Sequence, residues 1–298
     1  MTCTREGGAT SLATWAFAPH MIWQDMFAYA WTEIDGWWCL FAEYSDGLFM
    51  PLPPLGPCPQ GEFHPSCAFK DVVQHVIEYM MTHNKGSAVT RIENVPEELK
   101  PRLYELGFTL REKDPDYLYR RQDLVDLKGD RYKRPRAACN RFLRENRAQY
   151  RPYDVMDRDE CLALFHRWTA QKEAQHAQAG MPSDILARYM LEDAEPAHRC
   201  ILQSSDALGL VGRVICVDGA ICGYTFGYER SPDVFCILAE VVDRTLSGAA
   251  QFLFREFCGD MESYPFINTM DDSSLTSLAR SKRAYHPVRL VSNFIATP

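Results

Sequence analysis

Apolar and polar residues follow one another in short blocks that predict strands and helices in turn. In the first half, two aromatic-rich runs flank Asp35-Gly36 and predict a hairpin. After it come a short strand in "GLFM", a helix in "SCAFKDVVQHVIEYMMTHN", a strand in "AVTRIENV", a helix in "PEELKPRLYELG" and an extended segment in "FTLREKDPDYLYR". The predicted order is hairpin, strand, helix, strand, helix, strand.

The second half repeats this order. After a strand in "YRPYDVM" and an amphipathic helix in "DRDECLALFHRWTAQKEAQ", the pattern predicts two helices, the second beginning at Pro196, and then a hairpin at Asp218-Gly219. The nearly all-apolar "DVFCILAEVVD" is typical of a strand buried on both faces. Helices in "TLSGAAQFLFREFCGDM" and "SSLTSLARSKRAY" alternate with strands in "PFINTM" and "PVRLVSNF". This order predicts an α/β fold of two similar domains, residues 1–126 and 127–298, each a mixed sheet flanked by helices.

Composition restricts the class of protein. The chain has 298 residues, of which 46% are hydrophobic and 24% charged, as in ordinary globular proteins. No apolar run is long enough to span a membrane, and the N-terminus lacks a secretory signal. None of the 11 cysteines forms a Cys-x-x-Cys pair, so we expect no metal site and reduced thiols in a cytoplasmic protein.

Positive charge is concentrated near the middle of this acidic chain. The whole sequence has 40 Asp and Glu against 32 Lys and Arg, but residues 128–147 contain eight Lys and Arg against two acids. Such a segment is either a solvated helix face or a site for an anionic partner. The second interpretation predicts phosphate recognition by Lys128, Arg131, Lys133, Arg134 and Arg136, with Tyr132 stacking on a base.

The element order of the second half resembles the GNAT acyltransferase fold, in which the helix after the central strand directs its N-terminus at a phosphate. The corresponding turn here, "EVVDRTLSGAAQF", places Arg244 and Gly248 where that superfamily has a pyrophosphate loop, although the spacing differs by one residue and the second glycine is missing. The alternative is a helix start of small residues packed on a strand. Arg244 and Gly248 are therefore candidate donor-binding residues.

A longer pattern is similar to the standalone relatives of the C-terminal domain of bacterial phosphatidylglycerol lysyltransferase. It covers nearly the whole chain. Its marks are Tyr117, Tyr119, Asp123-Leu124, Gly129, Tyr132, Lys133, Asn140, Phe142, Asp218-Gly219, Asn268, Asp271-Asp272, Lys282 and Tyr285-His286-Pro287. The resemblance implies two tandem GNAT-like domains, distantly similar to the Fem aminoacyl transferases.

The resemblance also implies a reaction. Relatives of known activity transfer an aminoacyl group from tRNA to a lipid hydroxyl or to an amine. We therefore expect an acyl- or aminoacyl-transferase that uses aminoacyl-tRNA or acyl-CoA as co-substrate, with no tightly bound cofactor. The acceptor is expected to be a small molecule, a lipid headgroup or a peptide. The alternatives are an acyl-CoA-dependent N-acetyltransferase and a ligand-binding protein that has the fold without catalysis.

Side chains for the chemistry are expected near the central strand of the second half. A carboxylate such as Glu240 is costly to bury unpaired, so it either faces the cleft or meets a base, and it is the candidate general base. Tyr285 is the candidate proton donor. Direct attack by the acceptor then needs only these groups and an oxyanion site.

The end of "PFINTM" supplies the remaining candidates. Asp271 and Asp272 either act on the acceptor, Asp271 as a base, or cap the next helix. Asp243, Asn268 and Asp272 are predicted to bind the acceptor, and the resemblance implies a donor or phosphate contact for Lys282.

Overall fold

The computed structural model describes residues 10–56, 68–85, 89–178 and 185–298. Within them the helices are α1 (Ala18–Met21), α2 (Ala68–Asn84), α3 (Lys100–Glu105), α4 (Arg121–Asp126), α5 (Lys133–Glu145), α6 (Arg158–Gln178), α7 (Ile185–Ser204), α8 (Ala249–Asp260) and α9 (Thr276–Arg283). The strands are β1 (Ala28–Ile34), β2 (Trp37–Tyr44), β3 (Gly47–Phe49), β4 (Ile92–Pro96), β5 (Thr109–Arg120), β6 (Ala148–Pro152), β7 (Val211–Val217), β8 (Ala220–Ser231), β9 (Val234–Val242), β10 (Phe266–Asn268) and β11 (Arg289–Thr297). No helix in these ranges is both long and apolar enough to cross a bilayer.

Two sheets organise these elements. Strands β1, β2 and β3 form a small antiparallel sheet. The other eight strands form one sheet in the order β4-β11-β5-β10-β9-β8-β7-β6, in which only β9 and β10 run parallel. The α/β class predicted from the sequence is confirmed.

Both predicted hairpins form at an Asp-Gly pair. Asp35 and Gly36 have φ of 53° and 79°, and Asp218 and Gly219 have φ of 51° and 84°. Two successive left-handed residues are the backbone of a type I′ turn, whose twist suits a two-residue hairpin. The local sequence therefore determines both turns.

Apolar side chains cover both faces of the large sheet. On one face, α6 and α7 pack with Leu12 and Ala13 of the N-terminal segment against β7, β8 and β9. On the other face, α8 packs against β7, β8 and β9, and α4 and α5 pack against α8. A third cluster joins α2 to β2, β4 and β11.

One predicted helix boundary is wrong. The break expected at Pro196 does not occur, because α7 continues through this residue from Ile185 to Ser204. Proline removes one backbone donor and disfavours a helix interior. Ala197, Ile201 and Leu202 just after it are buried against the sheet, and this burial favours the continuous helix.

Strand β11 lies between β4 and β5, antiparallel to both. Strand β11 comes last in the sequence, after all the other elements of the second half. It nevertheless completes the part of the sheet formed by β4 and β5 of the first half. The boundary predicted between residues 126 and 127 falls at the end of α4 and stays a prediction.

A glycine permits the close contact between α5 and α8. Gly248 precedes α8 with φ of 88°, and a β-carbon there would lie 2.2 Å from the carbonyl oxygen of Ala138 in α5. The glycine is thus required by backbone packing, whatever its role in donor binding, which stays a prediction.

We expect Gly248→Ala to lower the free energy of unfolding by about 2 kcal/mol or more, since both its φ and the contact exclude a methyl group. Chemical denaturation measures the change. Gly219→Ala is the matched control, because that glycine also has a positive φ, 84°, but a β-carbon there would have no neighbouring atom within 4 Å. Equal losses in the two variants would show that φ alone matters and that the contact with Ala138 contributes nothing.

Candidate active site

The candidate site begins where β9 and β10 part. The two strands are paired only from Val234 to Cys236, opposite Phe266 to Asn268. Beyond Cys236, β9 continues to Val242 with β8 as its one partner, and a bulge interrupts that pairing between Ile237 and Ala239. The sheet therefore opens at the carboxyl end of β9, which is where ligands bind in open α/β sheets.

Glu240 lies on β9 in this unpaired stretch. Its Oε2 atom is buried and accepts no hydrogen bond from any residue that the structure describes. Burial raises the pKa of the Glu240 carboxyl to about 8. A buried carboxylate oxygen without a partner is costly, so the half-buried Glu240 is the main candidate for a functional group in the opening.

Tyr285 lies near Glu240, in the connection between α9 and β11. Its ring packs against Phe254 of α8 with centroids 4.8 Å apart. Burial is the main cause of its raised pKa, and the negative charge of Glu240 adds to the effect. The phenol therefore stays protonated at neutral pH, and the structure brings together the two groups predicted as base and proton donor.

Two further polar groups near the gap were missed by the sequence. Thr269 directly follows β10, and its Oγ1 atom is buried without a hydrogen-bond partner among the described residues. It lies close to the hydroxyl of Tyr119, whose pKa is raised mainly by burial. Thr269 was missed because a single Thr after a strand is not part of a recognisable motif. Tyr119 was noted only as part of the family pattern, which assigns it no role.

Lys282 holds the loop after β10 in place. Its ammonium donates to the backbone carbonyls of Thr269 (2.5 Å), Met270 (3.2 Å) and Asp271. Burial is the first cause that lowers the pKa of Lys282, to about 8. Because all three N–H donors are used inside the protein, the structure does not support the predicted phosphate contact.

The two aspartates of this loop do not cap α9. The helix begins at Thr276 after Leu275, which provides no side-chain cap. Asp271 accepts from the backbone N–H of Ser273 at 2.9 Å, and Asp272 accepts from the Tyr117 hydroxyl at 2.5 Å. The capping alternative is therefore wrong, and the catalytic role of Asp271 and the acceptor role of Asp272 stay predictions.

Asn268 is fully engaged. It is completely buried and donates to the carbonyl of Ser11 at 2.8 Å and to Asp116 Oδ2 at 2.9 Å, while its Oδ1 accepts from the Met270 N–H at 2.6 Å. The structure therefore does not support its predicted role in acceptor binding. Its carboxylate partner, Asp116, was missed by the sequence, and burial raises the pKa of Asp116 to about 6.

Within the basic segment, two residues serve the fold. Tyr132 is 1% exposed and donates to the Tyr285 carbonyl at 3.2 Å, so it offers no face on which a base could stack. Arg136 donates to the carbonyls of Leu127 and Gly129, which close the end of α4. The predicted nucleic-acid role of Tyr132 and phosphate role of Arg136 are not supported for these reasons.

The other basic residues of this segment that were predicted to bind phosphate have exposed side chains. Lys128 pairs with Asp126 at 2.7 Å, and Arg131 lies 3.5 Å from Asp123. Lys133 and Arg134, in the first turn of α5, make no ion pair with any described residue. Their charge is therefore available to a partner.

Arg141 of α5, Lys172 of α6 and Arg244 lie near the turn between β9 and α8, and Arg134 continues the positive charge along the same side of α5. Arg134, Ala138 and Arg141 share one side of α5, and Arg141 donates to Ser247 Oγ at 3.5 Å. Arg244 is exposed in the turn, and Lys172 of α6 lies close to it. We call Arg134, Arg141, Lys172 and Arg244 the basic rim.

The pKa of Lys172 indicates that the positive charges of the basic rim act on one another. Burial and then the positive charge of Arg244 lower the pKa of Lys172. Its ammonium lies 4.0 Å from the centroid of the Trp168 ring.

Asp243, at the start of the turn, accepts a hydrogen bond from the Thr245 hydroxyl at 2.7 Å, and its acceptor-binding role stays a prediction.

The mixed sheet with its splayed parallel pair, and the helix that begins beside that pair, have the arrangement of the tandem GNAT-like fold. A tandem GNAT protein from the clavulanic acid biosynthesis pathway has a similar fold, with a TM-score of 0.50 and 11% identity over 87% of this chain and 77% of that one. The expected fold class is confirmed.

The family follows from the sequence model for "Phosphatidylglycerol lysyltransferase, C-terminal", which matches residues 11–297, and the chain belongs to that family. A conserved protein of unknown function from Bacteroides thetaiotaomicron has a TM-score of 0.79 and 23% identity over 96% of this chain and 92% of that one. L-PGS from Bacillus licheniformis has a TM-score of 0.65 and 14% identity, with coverages of 94% and 86%. No curated protein is significantly similar in sequence.

Proposed function

We propose that the protein is an acyl- or aminoacyl-transferase that works by direct attack of an amine or hydroxyl acceptor on an activated carbonyl. The single observation that carries this proposal is the unpartnered Glu240 carboxylate in the opening between β9 and β10. Membership of the lysyltransferase family supports the same class of reaction.

The proposed step uses Glu240 and Tyr285. Glu240 takes a proton from the acceptor while the acceptor nitrogen or oxygen forms a bond to the donor carbonyl carbon. The carbonyl carbon then loses its bond to the leaving oxygen of a tRNA ester or sulfur of a thioester. Tyr285 protonates that leaving atom and recovers its proton from Glu240, so no oxidant, metal or covalent enzyme intermediate is required.

Aminoacyl-tRNA is the favoured donor. The basic rim supplies cations near the turn that leads into α8, where backbone N–H groups and the helix dipole also favour anions. Arg side chains suit phosphodiester recognition, and the exposed Lys133 extends the positive surface along α5. Lipid headgroups, peptides and small amines or alcohols all contain the required acceptor atom.

The donor can be identified by thermal shift followed by a transfer assay. We expect an aminoacylated tRNA mixture to raise the melting temperature more than acetyl-CoA or coenzyme A does, since a ligand that binds only the folded state stabilises it. Release of free tRNA that depends on an added amine or hydroxyl acceptor then shows transfer. A shift with acetyl-CoA alone supports the N-acetyltransferase, and binding without turnover supports the non-catalytic alternative.

The basic rim gives a direct prediction. We expect Arg134→Glu combined with Arg141→Glu to weaken donor binding at least about tenfold and to reduce the salt dependence of binding by about one unit of slope per lost phosphate contact. Titration at several salt concentrations measures both quantities.

Two further variants test whether weakened donor binding is specific to the basic rim. One controls for loss of positive charge elsewhere and the other for loss of stability. Arg147→Glu changes an exposed arginine beyond the end of α5 and is expected to bind donor nearly normally. Arg136→Gln is expected to lower the free energy of unfolding by about 1–3 kcal/mol, because two carbonyls lose their donor. If Arg147→Glu weakened binding as much as the double variant, the site would not be the rim.

A further inference from the structure

The small sheet ends in a strand with an unpaired side. In the order β1-β2-β3, strand β1 pairs with β2 alone, and no other strand in the described part of the chain lies on its second side. We call this second side the open edge. Five of the seven residues of β1 are exposed, so the open edge is accessible to an extended partner.

The Asp35-Gly36 turn determines which backbone groups of β1 face the open edge. A two-residue turn of this type joins Ile34 and Trp37 as a hydrogen-bonded pair. Hydrogen-bonded and non-hydrogen-bonded pairs then alternate along an antiparallel ladder. The residues whose N–H and C=O groups point away from β2 are therefore Tyr29, Trp31 and Glu33. Only another strand can satisfy backbone groups in this pattern.

Strand β1 lacks the features that usually keep an edge strand from pairing. Natural edge strands are protected by lysine, proline, a bulge or very short length. The sequence of β1, "AYAWTEI", has neither lysine nor proline, and its register with β2 continues without a shift over all seven residues. Its one charged residue is Glu33. This composition favours pairing of the open edge over its exposure to water.

Two exposed tryptophans lie beside the open edge. The rings of Trp31 and Trp38 stack with centroids 4.9 Å apart and an interplanar angle of 29°. Trp31 is 69% exposed and Trp38 is 42% exposed. Because Trp38 covers one face of the Trp31 ring from β2, the other face is directed at the open edge. A strand added there removes this apolar face from water.

From these features we infer that two copies of the chain pair through β1, antiparallel about a two-fold axis at Trp31. Trp31 is the middle residue of Ala28–Ile34, so the strand can meet itself with Trp31 opposite Trp31 of the second copy. The outward backbone groups then coincide, because residues 29, 31 and 33 of one copy oppose residues 33, 31 and 29 of the other. Each of these pairs exchanges two hydrogen bonds.

The side chains are compatible with this register. Glu33 comes opposite Tyr29 of the second copy rather than opposite another Glu33, so no like charges meet. The two Trp31 rings lie side by side on one face of the joined sheet. On the other face, the small and exposed Ala30 comes opposite Thr32. A strand of a different protein needs no such symmetry, so the register about Trp31 favours the second copy.

The interface is small, since it consists of one seven-residue strand and the stacked indoles. Interfaces below about 1,200 Å² are typical of weak or transient complexes, so we expect a dissociation constant of about 1–100 μM. Sedimentation velocity over a concentration series that spans this range measures it. Because β1 and Glu240 belong to different sheets, dimer formation and the proposed transfer reaction are tested independently.

Trp31→Lys is expected to raise the dissociation constant at least about tenfold, because it removes the indole and places two lysines opposite each other at the two-fold axis. The matched control is Tyr104→Lys, which puts the same charge at another aromatic residue, 55% exposed on α3. This control is expected to dimerise like the parent protein. Both changes are made at exposed side chains, so both variants are expected to remain folded.

Oxidative cross-linking tests the register and keeps both tryptophans. Ala30 of one copy opposes Thr32 of the other in a non-hydrogen-bonded pair, whose Cα atoms lie about 4.5 Å apart, within the range of a disulfide. A mixture of Ala30→Cys and Thr32→Cys is therefore expected to form a disulfide-linked dimer. Neither variant alone is expected to do so, since the two copies of one residue lie two positions out of register.

The parent protein under the same oxidant gives the background from native cysteines, which are buried wherever the structure describes them. The inference is overturned if the parent protein stays monomeric through the concentration series, which would leave the open edge to a strand of another protein. It is also overturned if Trp31→Lys dimerises like the parent. Equal cross-linking of the mixture and the single variants would overturn it too, because another surface or register would then join the copies.

Discussion

Glu240→Gln is expected to reduce the rate of acyl or aminoacyl transfer by a factor of about 10² to 10⁴, the usual contribution of a general base. The amide keeps the size and position of the side chain but cannot take a proton from the acceptor. Single-turnover transfer with saturating donor measures the rate. Donor affinity should change little, because the basic rim is formed by other residues.

The matched control is Glu173→Gln, which changes an exposed carboxylate of α6 that lies outside the opening. It is expected to leave transfer unchanged. Should Glu240→Gln transfer at the parental rate while remaining folded, the base is a different group and the assignment of the site is wrong.

The pKa of Glu240 gives the same experiment a pH dependence. The base must be ionised, so transfer by the parent protein is expected to rise with pH and to level off above about 8. In Glu240→Gln that rise should disappear from the residual rate. A parental profile with no change between pH 6 and 9 would contradict a base of this pKa, about 8.

The free energy of unfolding of the parent protein should fall with rising pH, whereas its transfer rate rises. Because burial raises the folded pKa above the unfolded value, the unfolded state releases its proton first as pH rises, and the parent protein loses stability between about pH 4.5 and 8. Glu240→Gln lacks this loss. At pH 8 it is expected to be more stable than the parent by about 2 kcal/mol, less than the full shift implies because the residue is only half-buried.

The largest loss of stability is expected for Lys282→Met. Methionine keeps most of the aliphatic length, but the carbonyls of Thr269, Met270 and Asp271 lose their shared donor. The Met270 carbonyl still accepts from the Tyr117 N–H at 3.2 Å, so two carbonyls lose their donor. Each of these costs up to about 1–3 kcal/mol, and we expect the free energy of unfolding to fall by about 3 kcal/mol.

Urea denaturation measures this loss, and Arg280→Met is the control on the same helix. The exposed Arg280 side chain has no hydrogen-bond or ion-pair partner among the described residues, so its replacement is expected to change stability by less than about 0.5 kcal/mol. Equal effects at the two positions would mean that Lys282 does not hold the loop, and its ammonium would again be available for a ligand.

Elements set by local sequence were the most predictable. The Asp-Gly hairpins, and the end of the helix predicted in "PEELKPRLYELG", whose final Gly107 has φ of 87°, depend on one or two residues and were predicted from them. The boundary at Pro196 was wrong because a local preference for breaking the helix competes with burial against a sheet that is distant in sequence. Propensity describes only the first of these two effects.

The candidate site was predictable where residue type alone limits the choice. A carboxylate within an apolar strand must be exceptional, and this reasoning led to Glu240. Asp116 was missed because "REKDPDYLYR" reads as a polar strand, and nothing in it shows that Asn268 and the backbone of Ala13 will enclose this one acid. The phosphate roles predicted for Lys282 and Arg136 lack support for a related reason, since sequence shows a cation but not the backbone carbonyls to which it donates.

The position of β11 also has a consequence for how the protein is made. During synthesis, β4 and β5 leave the ribosome long before β11, which follows five further strands. Until then both strands lack the neighbour that lies between them, and Phe294 and Ala296 are absent from the cluster around α2. In the nascent chain the facing edges of β4 and β5 therefore stay unpaired until β11 is made, and unpaired strand edges favour aggregation. Because this pairing joins strands that are distant in sequence, we expect it to slow folding.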